Sequence, residues 1–175
     1  QTIEVKTNPG MTTTVNLPDG TVVHLNSESK LSYPSFFDKD KRRVTLEGEA
    51  FFEVQKDPEH GFVISAPHET KIEVLGTSFN VEAFEKDAFV STTLVEGKVR
   101  FDYIKNGRGT AVLMKPGQKL TYDSFSSCVQ LTETNGESEI AWKDGKVVFH
   151  ATPLPEALRM LEKRFNVTFV LSNDR

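Results

Sequence analysis

The 175 residues carry a net charge of −4, thirteen Phe and a single Cys. That length suits one or two domains with a real core and no staples, and the lone Cys128 excludes an internal disulfide. The acidic balance excludes nucleic acid as the expected partner, because phosphate binding needs clustered Lys and Arg.

The first two-thirds of the chain read as β. Val15 to Leu17 lead into Pro18-Asp19-Gly20, with Pro suited to the second turn position and Gly to a positive φ after it. Residues 22–25 follow as a strand, and 26–30 are a loop by composition. Residues 31–37 hold Tyr33, Phe36 and Phe37 but are interrupted by Pro34, which predicts an irregular or edge segment. The basic run 39–43 reads as a solvated loop leading into a strand. Residues 44–46 and 50–54 read as two strands flanking Glu47-Gly48-Glu49.

Residues 62–64 form a short apolar run. Residues 71–75 alternate with period two, as in a half-buried strand. Gly76 then interrupts like a bulge, and Phe79, Val81 and Ala83 resume the alternation. Residues 89–95 and 98–104 are two more strands. Asn106-Gly107 predicts a type I′ hairpin into 111–114, and Lys115-Pro116-Gly117-Gln118 suits a type II turn. Residues 120–122 and 129–131 complete the series. About ten to twelve short strands of this kind mean a sandwich, barrel or β-roll. Leu46-Glu47-Gly48 and Val95-Glu96-Gly97 look alike and read as two similar hairpins.

The pattern changes after a polar, turn-rich stretch over 132–138. Residues 147–149 read as a strand. Pro153 and Pro155 sit where a first helical turn tolerates missing N–H groups. Leu154, Ala157, Leu158, Leu161 and Phe165 then share one helical face. Glu156 near the start and Lys163-Arg164 near the end suit the macrodipole, and Asn166 can close the helix. Residues 167–171 read as a second strand, which gives a β-α-β unit. The expected domains are 1–131, a linker over 132–143, and the β-α-β unit over 144–175. Trp142, beside the linker, reads as an anchor packed against both parts.

No catalytic constellation stands out. His24, His60, His68 and His150 are scattered, with no HxH or HExxH spacing. No GxSxG elbow appears, and Cys128 has no evident base and reads as an inert, buried or half-buried thiol. Glu47, Glu49 and Glu53 share one strand face only if the strand is unbroken. With Gly48 in a turn they read as a solvated outer face. No catalytic, metal or cofactor-binding residue is expected.

The ordered motifs LPDGTVVHLN (17–26), LEGEAFFEV (46–54), VLGTSFNVEAF (74–84), LVEGKVRF (94–101) and KPGQKLTY (115–122) resemble the periplasmic FecR domain over roughly residues 5–125. That family comprises bacterial transmembrane anti-sigma factors. The resemblance implies a periplasmic region, tethered by an inner-membrane helix upstream of Gln1. It implies a sigma factor held by a cytoplasmic segment also upstream. It further implies that the C-terminal unit begins a domain similar to the short signalling domain of secretins and TonB-dependent transporters, with about another βαβ of sequence needed after Arg175. The implied partner is the N-terminal signalling domain of an outer-membrane TonB-dependent transporter. Val167, Phe169 and Leu171 are the candidate partner-binding residues by β-augmentation, with Trp142 as a second candidate. An open edge at 167–171 also predicts a homodimer or a swap of the C-terminal segment. The competing expectation is a carbohydrate-binding sandwich with Tyr33, Phe36 and Phe37 as its platform.

Overall fold

A computed structural model describes residues 1–171 of the chain; the last four residues of the expected C-terminal unit lie outside it. The strands are β1 (Thr2–Lys6), β2 (Thr13–Asn16), β3 (Val22–Leu25), β4 (Lys30–Pro34), β5 (Lys41–Glu53) and β6 (Gly61–Ala66). They continue as β7 (Thr70–Val74), β8 (Ser78–Ala83), β9 (Phe89–Glu96), β10 (Val99–Lys105), β11 (Arg108–Met114), β12 (Gln118–Asp123) and β13 (Cys128–Glu133). The short helix α1 (Glu137–Ile140), a 3-10 turn over Ala141–Asp144 and the helix α2 (Leu154–Phe165) follow.

Two layers face each other and share β5. One sheet runs β1-β4-β5-β6-β7-β10-β11, and the other runs β2-β3-β5-β8-β9-β12-β13. The first half of β5 pairs with β4 and, in parallel, with β6. Its second half pairs with β3 and β8. The strand changes layer at Gly48, whose φ is +114° and where a Cβ would fall within 2.7 Å of the Ser29 Cα. Only glycine meets both conditions. The mainly β architecture is thus the expected one, in its sandwich form. The expected break at Glu47-Gly48-Glu49 is instead a kink within one long strand.

Rings fill the space between the sheets. Phe52 stacks on Phe79 at 5.4 Å and meets Phe62 of the opposite sheet at 6.2 Å. Further along, Tyr103 and Tyr122 meet across the layers at 5.2 Å. Such pairs add stability beyond the area they bury.

All three predicted turns form as expected, with Gly20 at a φ of 87° in the first. Asn106 and Gly107 have φ of 51° and 72°, and Gly117 has φ of 83°. Elsewhere the local reading needs correction. Residues 30–34 are an interior strand, because β1 covers the side away from β5, and Pro34 sits at its last position where a missing donor costs least. Within the basic run Lys39, Asp40 and Arg43 stay exposed as expected, but Arg42 does not. Strand alternation turns Arg42 inward, where its Nη1 donates to Asp19 and to the Gln55 carbonyl at 2.8 Å, and its Nε to the His60 carbonyl at 2.9 Å. A buried guanidinium is tolerable with that many partners. Cys128 is exposed, because β13 is an edge strand with no layer over it.

The helix α2 spans the predicted residues, with Asn166 in the αL conformation at its end. The flanking segments 147–149 and 167–171 join no ladder, where strands were expected. Even a pair of strands is marginal in water without a further neighbour, and among the described residues neither segment has a strand beside it.

Candidate functional site

The outer face of the second sheet is not free. Its alternating positions on β5, β8 and β9 put Glu49 opposite Glu82 and Phe51 opposite Asn80, with Thr93 beyond Asn80. The C-terminal segment lies over these residues. Trp142 is buried and donates its Nε1–H to the Asn80 side-chain oxygen at 3.2 Å. Lys143 sits 4.6 Å over the Phe51 ring and 3.8 Å from Glu53. Lys119 of β12 pairs with Glu139 of α1 at 3.4 Å.

At the centre is a buried carboxylate. Glu49 is 7% exposed. Its oxygens accept from Asn26 at 2.8 Å and from Asn80 at 3.1 Å. Lys163, from the last turn of α2, lies 3.3 Å from Glu49, 3.2 Å from Glu82 and 4.0 Å above the Phe84 ring. Burial pushes the Glu49 pKa up, the facing Glu82 adds to this, and Lys163 and the two amides offset it only in part. For Lys163, burial pulls the pKa down, but Glu49 and Glu82 outweigh it and the net shift is upward. Two carboxylates opposed across one ladder repel, so the ammonium between them holds the charge pattern and α2 together. This arrangement can dock and release a helix. No residue of α2 is fully buried, and Ala157, Leu158, Met160 and Leu161 are half-buried alongside this polar contact.

Beside the contact is a cleft of about 870 Å³, with Glu82, Phe84 and Phe89 on the sheet side and Trp142, Met160 and Lys163 on the other. Among the described residues no group of three His, Cys, Asp or Glu side chains is placed to hold a metal ion. Among the described residues no helix is long and apolar enough to cross a membrane.

The four residues singled out from sequence fall in two places. Trp142 is inside the joint. Val167, Phe169 and Leu171 lie beyond α2 and are exposed, Leu171 at 73%. Val167 shares the lining of the cleft with Trp142, whereas Phe169 and Leu171 lie outside it. Sequence reasoning missed Glu49, Asn26, Asn80 and Lys163. The available signal was Phe51, an apolar ring at an outward strand position, which implies a covering layer. The aromatic platform does not exist as a row. Tyr33 is buried and Phe37 packs edge-on to Phe62 at 6.1 Å, which leaves Phe36 alone in solvent.

The FecR protein family model matches residues 3–100. The chain belongs to the FecR family. The matched span takes in the first three motifs whole and the fourth up to Arg100, and leaves KPGQKLTY outside. Two crystal structures of a candidate anti-sigma factor from Parabacteroides distasonis ATCC 8503 are similar over nearly the whole chain. One is 31% identical with a TM-score of 0.85, covering 95% of this chain and 76% of that one. The other is 32% identical with a TM-score of 0.84, covering 94% and 75%. No curated protein matches the chain.

Proposed function

We propose that this chain is the periplasmic sensor and relay portion of a transmembrane anti-sigma factor. It receives the N-terminal signalling domain of an outer-membrane TonB-dependent transporter and controls release of a sigma factor. The sigma factor is held by a cytoplasmic segment joined through a membrane helix upstream of Gln1. The FecR match and the similarity to the Parabacteroides protein support the anti-sigma role. The division into a sandwich over 1–131, a linker over 132–143 and a C-terminal unit from 144 belongs to this reading.

The observation that carries the relay is the Lys163 contact. A helix tethered by one ammonium to a buried carboxylate can be re-seated by a partner that binds beside it. Residues 167–171 continue directly from α2 and leave Val167, Phe169 and Leu171 exposed with no ladder partner. A partner strand laid along them gains backbone hydrogen bonds and apolar contacts together.

The test is calorimetric titration of the chain with the purified N-terminal signalling domain of a TonB-dependent transporter from the same bacterium. Binding is expected, and it is lost in a Val167→Asp, Phe169→Asp, Leu171→Asp variant whose sandwich still melts at the normal temperature. Binding of equal strength to that variant moves the partner site elsewhere. Absence of binding to every such domain of the organism removes the transporter from the reading.

A further inference from the structure

The sandwich has four lateral edges, and they are not equally defended. The edge strand β1 carries the Glu4–Lys6 ion pair at 2.8 Å. The edge strand β2 is four residues long. The third edge, β13, ends on the acidic Glu133. Charge and shortness are the usual guards against strand pairing.

The fourth edge, β11, is seven residues long and carries charge only at its first residue, Arg108. Among the described residues it pairs with β10 alone. The type I′ turn at Asn106-Gly107 fixes its register, with Lys105 opposite Arg108. In a two-residue hairpin the residues flanking the turn exchange hydrogen bonds, and every second pair does so after them. The N–H and C=O groups of Arg108, Thr110, Val112 and Met114 therefore face β10. Those of Gly109, Ala111 and Leu113 face outward. All three are exposed, and Leu113 is 76% exposed. Gly109 and Ala111 have almost no side chain to obstruct an incoming backbone.

The ends of this edge are basic. Lys105 and Arg108 stand at one end and Lys115 at the other, all exposed. Among the described residues none of the three is in an ion pair. Asp102, opposite Ala111, is held by Arg100 at 2.9 Å. An uncharged strip between unpaired cations, on a chain of net charge −4, selects its occupant by charge. A second copy pairing antiparallel through the same strand would bring Arg108 near Lys115, which like charges oppose.

We propose that β11 is a strand-addition site for an extended segment of another protein, with alternating apolar residues in its middle and Asp or Glu at its ends. The added strand takes six backbone hydrogen bonds from Gly109, Ala111 and Leu113, since each residue offers one donor and one acceptor. Carboxylates at its two ends meet Arg108 and Lys115, and Leu113 supplies an apolar contact. This site is separate from α2 and does not depend on the transporter reading.

The probe is a short capped peptide of alternating Val and Thr with Asp at both ends, compared with the same peptide ending in Lys. Backbone amide exchange of the full chain is followed by NMR. The expected result is protection of the Gly109, Ala111 and Leu113 amides by the acidic peptide, with affinity about tenfold above the basic one. Arg108→Glu with Lys115→Glu is expected to reverse that preference. Ala111→Pro is expected to abolish protection at an unchanged melting temperature, because its N–H faces away from β10. Equal protection by both peptides, or none by either, overturns the proposal. Protection of the three amides without any peptide, together with a doubled mass in sedimentation, also overturns it and assigns the edge to a second copy.

Discussion

The sandwich and the C-terminal segment are held by different physics. Between the sheets, Phe52, Phe62, Phe79 and Phe101 are completely buried, and nearly every contact is apolar. Over the second sheet, α2 buries no residue fully and is fixed by Lys163 against Glu49 and Glu82. Apolar burial is non-directional and its loss is felt by the whole domain. A partly buried charge contact is local, directional and sensitive to proton concentration. A molecule built this way can keep its core intact while one element leaves.

Changes to the two regions should therefore have separable effects. The largest is expected from Phe52→Ala, which removes a ring packed on Phe62 and Phe79 and should cost about 4 kcal/mol. Denaturant unfolding followed by intrinsic fluorescence reads it, and every strand should melt together. Lys163→Met should cost about 2 kcal/mol at the joint, the scale for stranding a buried polar partner. Amide exchange should show α2 losing protection while the strands keep theirs. Equal loss in both regions would contradict the separation.

The pH response sharpens the same comparison. The Glu49 pKa is raised in the folded chain, so its contribution is complete below the ordinary carboxylate value of about 4.3 and is lost as pH rises through the raised value. Passing from about pH 4 to pH 7 should shift relative stability toward Glu49→Gln, which does not titrate. Parallel denaturant titrations of the two proteins measure that shift. Lys163 is also raised, so its contribution holds below about 10.4 and is lost at higher pH, and α2 should leave in strong alkali. The smallest effect is expected at Cys128. Cys128→Ser should leave the melting temperature unchanged, and the native thiol should react promptly with a disulfide reagent.

Where one local rule acts alone, the sequence was readable. Asn106-Gly107 and Pro116-Gly117 specify their turns by φ alone, and the spacing of Leu154 to Phe165 specifies α2. The errors come where distant chain segments decide. Glu49 looks solvated until Asn26, Asn80 and Lys163 are brought to it from three other elements. Arg42 looks like part of a basic loop until Asp19 meets it. The run Glu47-Gly48-Glu49 has turn chemistry, yet the pull of two sheets keeps it extended. Residues 147–149 and 167–171 have strand composition, but composition does not provide the neighbour that a ladder requires.

Ser29 gives the joint a reach beyond α2. Its hydroxyl accepts the Glu49 amide at 2.9 Å, and its carbonyl accepts the Thr7 amide at 3.0 Å, at the end of the N-terminal strand. Thr7 thus bonds Ser29 directly, and Lys163 reaches it only through Glu49. Tension applied through the first strand and pressure applied through the last helix would therefore converge on the pairing of Ser29 with Glu49.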